Sequence, residues 1–187
     1  MRFDPSPLLG AYTVELDRHG DSRGFFGRVF GEQEFAEAGL VNRFVQVGDS
    51  YSTKKGTLRG MHYRLPPSIE AKLVRCIGGA LYDVIADLRP DSPTYRKSIG
   101  VELTADNRTM HYIPRGFAHG FITLTDDTEV LYLLSEFHAP EYERGLRYDD
   151  PWLDIDWPMK PVEVSAKDQG WPQFDPGFHG VELLRGL

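Results

Sequence analysis

A mainly β fold of the sandwich or jelly-roll kind is what this sequence predicts, and three observations predict it. First, short apolar runs follow one another at close spacing: 97–104, 109–114, 117–125 and 128–136, parted by Asp106-Asn107, Pro114-Arg115-Gly116 and Asp126-Asp127. Second, residues 72–89 read as two strands joined at Gly78-Gly79, the strongest hairpin signal in the chain. Third, no helices alternate with these runs. The one helix candidate spans 32–40, with Phe35 and Leu40 as its apolar contacts and Asn42 soon after. In the second strand of the hairpin Tyr82, Val84, Ala86 and Leu88 share one face, and Asp83, Ile85 and Asp87 the other. From about residue 140 onward prolines that include 140, 151, 158, 161 and 172 predict an irregular segment wrapped around the strands. The whole, 1–187, reads as one domain.

Composition narrows the function. At 187 residues, with 41% hydrophobic and 26% charged side chains, the chain is an ordinary globular sequence able to bury a core. No apolar run approaches the roughly 20 residues of a membrane span. Met1-Arg2-Phe3-Asp4-Pro5 lacks a signal pattern, so the expected compartment is the cytoplasm. Lys and Arg number 21 against 28 Asp and Glu, a net charge of −7 that argues against nucleic-acid binding. An anionic ligand would need local convergence of cations such as Lys54-Lys55, Arg59, Arg64, Lys72 and Arg75. The single cysteine, Cys76, rules out an internal disulfide and a multi-cysteine zinc site.

Familiar chemistry motifs are missing. There is no G-x-G-x-x-G after a strand, no P-loop and no G-x-S-x-G elbow. A metal-binding cupin would offer two histidines one residue apart, a carboxylate and a later histidine. Here His62 is followed by Tyr63 and Arg64, so the pair is absent. Only Pro114-Arg115-Gly116-Phe117-Ala118-His119 resembles the second cupin box. One imidazole on each of two strands falls short of the three or four ligands a strong site needs, and no metal is expected.

Acid–base candidates remain. His62 sits among Arg59 and Lys72, cations that favour a neutral, proton-accepting ring. A carboxylate on its other nitrogen would fix the tautomer, although sequence leaves that carboxylate open. His119 alternates with Phe117 and Phe121 on one strand face, which reads equally as a core stripe with one satisfied histidine. Tyr132 shares a face with Val130 and Leu134, which turns its hydroxyl toward the interior.

Several segments, in order, resemble the dTDP-4-dehydrorhamnose 3,5-epimerase family. They include Asp21-Ser22-Arg23-Gly24-Phe25-Phe26, Gly56-Thr57-Leu58-Arg59-Gly60-Met61-His62-Tyr63 and Ala71-Lys72-Leu73-Val74-Arg75. Others are Asp83–Arg89, Ser92-Pro93-Thr94-Tyr95, Ile113–Phe121, Asp149-Asp150-Pro151, Ile155-Asp156-Trp157-Pro158 and Ser165-Ala166-Lys167-Asp168. Together they cover about residues 10–175. The resemblance implies a cupin-type jelly roll, a homodimer, no cofactor and no metal. By the same resemblance His62 is the base, Asp168 its carboxylate partner, Lys72 the group beside the C4 oxygen and Tyr132 the acid across the ring. Arg23, Arg59 and His119 would address the diphosphate, with Arg23 reaching in from the partner subunit. Gln46 would contact the sugar nucleotide, with Phe26, Arg28 and His138 also at the substrate.

The chain departs from the family pattern at four places. Gly48 stands where Asn is usual, Arg28 where Glu is usual, His138 where Tyr precedes Ala-Pro, and Arg64 where Gln is frequent after His-Tyr. Positions 28 and 138 lie where the family holds thymine, so the resemblance implies intact epimerase chemistry with an altered nucleotide pocket. The expected reaction is 3,5-epimerisation of a nucleoside-diphosphate 4-keto-6-deoxyhexose. The alternatives are epimerisation at C3 only, a differently based or larger sugar nucleotide, or binding without catalysis.

Overall fold

The computed structural model describes all 187 residues. The strands are β1 (Arg2–Pro5), β2 (Tyr12–Glu15), β3 (Arg18–Asp21), β4 (Gly24–Gly27), β5 (Gln46–Ser52), β6 (Thr57–Arg64) and β7 (Lys72–Gly78). They continue with β8 (Ala80–Asp87), β9 (Ser98–Thr104), β10 (Met110–Ile113), β11 (Phe117–Thr123), β12 (Thr128–Leu134), β13 (Glu143–Gly145) and β14 (Glu163–Val164). Three short helices complete the set: α1 (Glu32–Glu37), α2 (Ala166–Gln169) and α3 (Pro176–His179). No helix is long and apolar enough to cross a membrane.

The first sheet has the order β1-β2-β10-β7-β12-β5 and the second β13-β6-β11-β8-β9, with β14 added to β6 in parallel. β3 and β4 form a separate exposed hairpin. The expected hairpin at 72–89 turns where anticipated, and Gly79 adopts a φ of +68° there. Its two strands do not pair with each other, however. β7 lies between β10 and β12 in the first sheet, while β8 joins β11 and β9 in the second. The glycine turn therefore carries the chain from one sheet to the other. Helix α1 is shorter than the 32–40 pattern suggested: Gly39 turns left-handed at φ +71°, and the Leu40 N–H closes back onto the Phe35 carbonyl at 2.9 Å.

Strand alternation explains the layers. Leu81, Ile85, Phe117 and Phe121 of the second sheet meet Val74, Cys76, Ile113 and Val130 of the first in the interior between the sheets. The opposite face of β8, with Val84, Ala86 and Leu88, is covered by the C-terminal segment through Leu146, Leu153, Val181 and Leu184. That is why β8 is buried almost throughout and why the proline-rich tail must wrap the barrel. On the outer face of the first sheet Phe35 is fully buried and is ringed by Phe3, Phe30, Phe44 and Tyr112 at centroid distances of 5.1–6.0 Å.

β6 and β11 come unusually close, and their pairing slips in register between His119 and Phe121. Gly60 has φ +123°, and a Cβ there would stand 2.5 Å from Gly120 Cα and 2.8 Å from the His119 carbonyl oxygen. Only backbone could yield. Gly60→Ala is therefore expected to cost at least ~2 kcal/mol, read as a fall of roughly 4–8 °C in Tm. An unchanged melting temperature would mean that the strands part freely.

Candidate active site

The two sheets open at one end into a cavity of about 460 Å³. Six of the residues expected at the substrate line it together: Arg59, His62, Lys72, His119, Tyr132 and Asp168. They come from far apart in sequence. β6 and β11 of the second sheet supply Arg59, His62 and His119, while β7 and β12 of the first supply Lys72 and Tyr132. Asp168 arrives on α2, whose position is fixed by Ser165: its hydroxyl caps the helix by accepting the Asp168 N–H at 3.0 Å.

His62 and Asp168, 106 positions apart, form the tightest contact in the cavity: Nε2–H donates to Oδ1 at 2.6 Å. The second carboxylate oxygen accepts the Gly60 N–H at 3.3 Å. Burial pushes the Asp168 carboxyl upward, but the His62 hydrogen bond and charge, with the Gly60 N–H, outweigh it, so the group lies below its ordinary range. An ionised Asp168 can only accept, which places the His62 proton on Nε2. Nδ1 makes no hydrogen bond to the protein and is left as an acceptor.

Lys72 Nζ lies 3.2 Å from Glu70 Oε1. Across the cavity mouth Glu143 accepts from Lys167 at 2.8 Å. Burial would raise the Glu143 carboxyl, yet the Lys167 hydrogen bond and the nearby charges of His62 and Lys72 hold it down. The Tyr132 phenol is pushed well above its usual range, chiefly by burial and further by the Asp83 charge. It is therefore fully protonated at neutral pH.

His119 is both a satisfied buried histidine and part of the cavity floor. Its Nε2–H donates to Asp83 Oδ1 at 2.7 Å, and His111 Nδ1–H donates to Asp83 Oδ2 at 2.8 Å. Burial alone would raise Asp83; two imidazole donors instead lower it to about 2. Burial likewise lowers His119 against the opposing Asp83 charge, so a neutral ring donates to an anion. His62 and His119 face each other across β6 and β11, yet each is committed to a carboxylate of its own.

Five other expected residues lie outside this cavity within one chain. Arg23 and Phe26 sit on the β3–β4 hairpin, with Arg23 held by Asp21 and Phe26 68% exposed. Arg28 pairs with Glu34 at 2.9 Å beside a separate small cavity near Met1 and His19. Gln46 opens β5 and its Oε1 is buried without a partner, and His138 is exposed on the segment after β12. The geometry differs from one to the next: Arg23 and Phe26 lie on a hairpin that forms its own exposed sheet, whereas Gln46 and His138 lie at the far end of the β5–β12 pair. Sequence reading also missed Asp83, Glu70 and Glu143. For Asp83 a signal existed, since a lone carboxylate on the inward face with Ile85 demands buried partners.

Comparison with known proteins then decides the family. The family model for dTDP-4-dehydrorhamnose 3,5-epimerase matches residues 5–176. The chain belongs to this family. Its curated relatives include the dTDP-4-dehydrorhamnose 3,5-epimerase of Methanothermobacter thermautotrophicus, 43% identical over 91% of this chain and 92% of that one. A dTDP-4-dehydrorhamnose 3-epimerase of Streptomyces niveus is 36% identical over 90% of this chain and 82% of its own length. Among solved structures, the dTDP-6-deoxy-D-glucose-3,5-epimerase of Legionella pneumophila in complex with dTDP-4-keto-L-rhamnose superposes with a TM-score of 0.85. It is 36% identical and covers 92% of each chain. The mainly β architecture is thus the cupin-type jelly roll of this epimerase family.

Proposed function

We propose that the chain catalyses 3,5-epimerisation of a dTDP-linked 4-keto-6-deoxyhexose, converting dTDP-4-dehydro-6-deoxyglucose to dTDP-4-dehydrorhamnose. The observation that carries the reading is the His62–Asp168 dyad at 2.6 Å facing Lys72 and Tyr132 across one cavity. A C–H bond beside a ketone breaks heterolytically when the electron pair can pass into an enolate at the C4 oxygen. His62 Nδ1 takes that proton. The Lys72 ammonium stabilises the oxygen as charge develops on it. The enolate carbon then takes a proton from the Tyr132 hydroxyl on the opposite face, and the centre is inverted. C3 and C5 both flank C4, so one ketone activates both, and the substrate itself supplies what a cofactor would.

Arg59 takes the diphosphate in this reading, and His119, its one N–H committed to Asp83, joins it only when the ring gains a second proton beside the bound anion. Arg23 and Phe26 are added by the hairpin of a second copy. The exposed apolar groups Phe25, Phe26, Val47 and Tyr51, gathered on that hairpin and on the open edge of β5, support a homodimer. Gln46 contacts the sugar nucleotide in this reading, and Arg28 and His138 lie at its base.

A specific observation favours keeping a C3-only reading in view: the Streptomyces niveus relative carries a 3-epimerase name at 36% identity. Incubating dTDP-4-dehydro-6-deoxyglucose with enzyme in deuterated water decides between them. Deuterium at both C3 and C5 is expected; incorporation at C3 alone supports the narrower activity, and none at either carbon overturns both.

A further inference from the structure

Beside Lys72 the cavity wall carries two charged groups that the reaction leaves without a task. Glu70 lies between two cations: its Oε1 is 3.2 Å from Lys72 Nζ and its Oε2 is 3.2 Å from Arg64 Nη2. All three side chains are largely withdrawn from solvent, with 14%, 6% and 9% of Lys72, Glu70 and Arg64 exposed. Glu70 Oε2 makes no aligned hydrogen bond, so its contact with Arg64 is one of charge. Arg64 is itself anchored, donating through Nη1 to the Phe137 carbonyl at 2.8 Å.

A carboxylate touching Lys72 cuts both ways. It holds the ammonium in place, and it competes with the substrate's C4 oxygen for the same positive charge. Arg64 divides that competition by engaging the second oxygen of Glu70. Without Arg64, the carboxylate is left to Lys72 alone, and a buried charge loses half of its compensation. Without Glu70, Arg64 and Lys72 face each other as like charges with nothing between them. Only removal of both returns a neutral wall.

We infer that Arg64 and Glu70 are a coupled positioning pair that sets where, and how freely, the Lys72 ammonium meets the C4 oxygen. This rests on the epimerase reading above. The pair acts through Lys72 and touches no reacting atom, so it differs from the catalytic groups.

The test is a cycle of Arg64→Gln, Glu70→Gln and the double variant, each assayed for kcat, KM and deuterium exchange with dTDP-4-dehydro-6-deoxyglucose. Each single change is expected to lower kcat and exchange roughly 30-fold with KM moved less than about threefold, and the double change to recover most of the loss. Losses that multiply in the double variant, or that fall on KM alone, overturn the pairing. Arg64→Lys keeps the charge but gives up the planar fork that reaches Phe137, and is expected to stay within about threefold of the parent kcat. A loss in Arg64→Lys as large as in Arg64→Gln would place the role in the Phe137 tether and also overturn it. Absence of exchange by the unaltered protein is a different result, since it removes the epimerase reading itself.

Discussion

Replacing His62 by alanine is expected to abolish deuterium incorporation at both C3 and C5, with turnover reduced by roughly 10²–10⁴-fold, the usual worth of a positioned base. The magnitude belongs at the upper end of that range because no second group is placed to substitute. His119, the nearest imidazole along the paired strands, donates its Nε2–H to the Asp83 anion. Burial depresses it further as a cation, so it is a poor proton acceptor. Glu143 and Asp168 are both held ionised below their ordinary range, one by Lys167 and the other by His62. Each is a weaker base than an imidazole aimed at the carbon and oriented by a carboxylate. Because one base is proposed to serve both carbons, exchange at C3 and C5 should fall together. Survival of exchange at either position in His62→Ala would assign that carbon to another group. Substrate affinity should change little, since His62 faces the carbon–hydrogen bond and not the diphosphate, and direct titration of substrate binding measures this.

The parts of this site that could be read from sequence are those whose physics is local. Strand alternation placed Tyr132 with Val130 and turned it inward, and it sorted the two faces of β8 correctly because a pleated strand buried on both sides still alternates. The turn at Gly78-Gly79 was visible from its glycines. Its consequence was not: β7 and β8 look like partners in a ladder, and only the closing of two sheets sends them apart. The His62–Asp168 contact was equally invisible to spacing. It joins a central strand to a one-turn helix in the tail, and nothing within either segment encodes the other. Resemblance to a family supplied that pairing, because an ordered set of motifs carries the memory of a fold that periodicity cannot. Where family and chain part company, as at Arg64, resemblance is silent. Only the structure reveals that the added cation has a carboxylate to meet, Glu70, six residues on.

Tyr132→Phe is expected to separate two events that the native enzyme performs together. Inversion needs a base on one face of the sugar and an acid on the other, and in the proposed mechanism the two come from different sheets. His62 stands on β6 in the second sheet and Tyr132 on β12 in the first, and facing sheets are about 10 Å apart, enough for a pyranose ring between them. The phenol has the right strength for its place. Burial and the Asp83 charge raise it above its usual range, so it stays protonated until a strongly basic centre draws the proton away. An enolate carbon is such a centre. Removing the hydroxyl leaves the Phe ring to fill the same space against the interior core and leaves His62, Asp168 and Lys72 untouched. Proton abstraction should therefore continue, and the only acid left to the enolate is the imidazolium that has just formed. Once the imidazolium has exchanged its proton for solvent deuterium, reprotonation occurs from the face of departure and restores the original configuration. Formation of the epimerised product should fall by roughly 10²–10⁴-fold, while substrate recovered from deuterated water should still carry label at the exchanging carbons. Proton NMR reads both quantities in one sample. If label and product vanished in parallel, Tyr132 would be needed to form the enolate as well as to quench it, and the division of labour between the two sheets would fail.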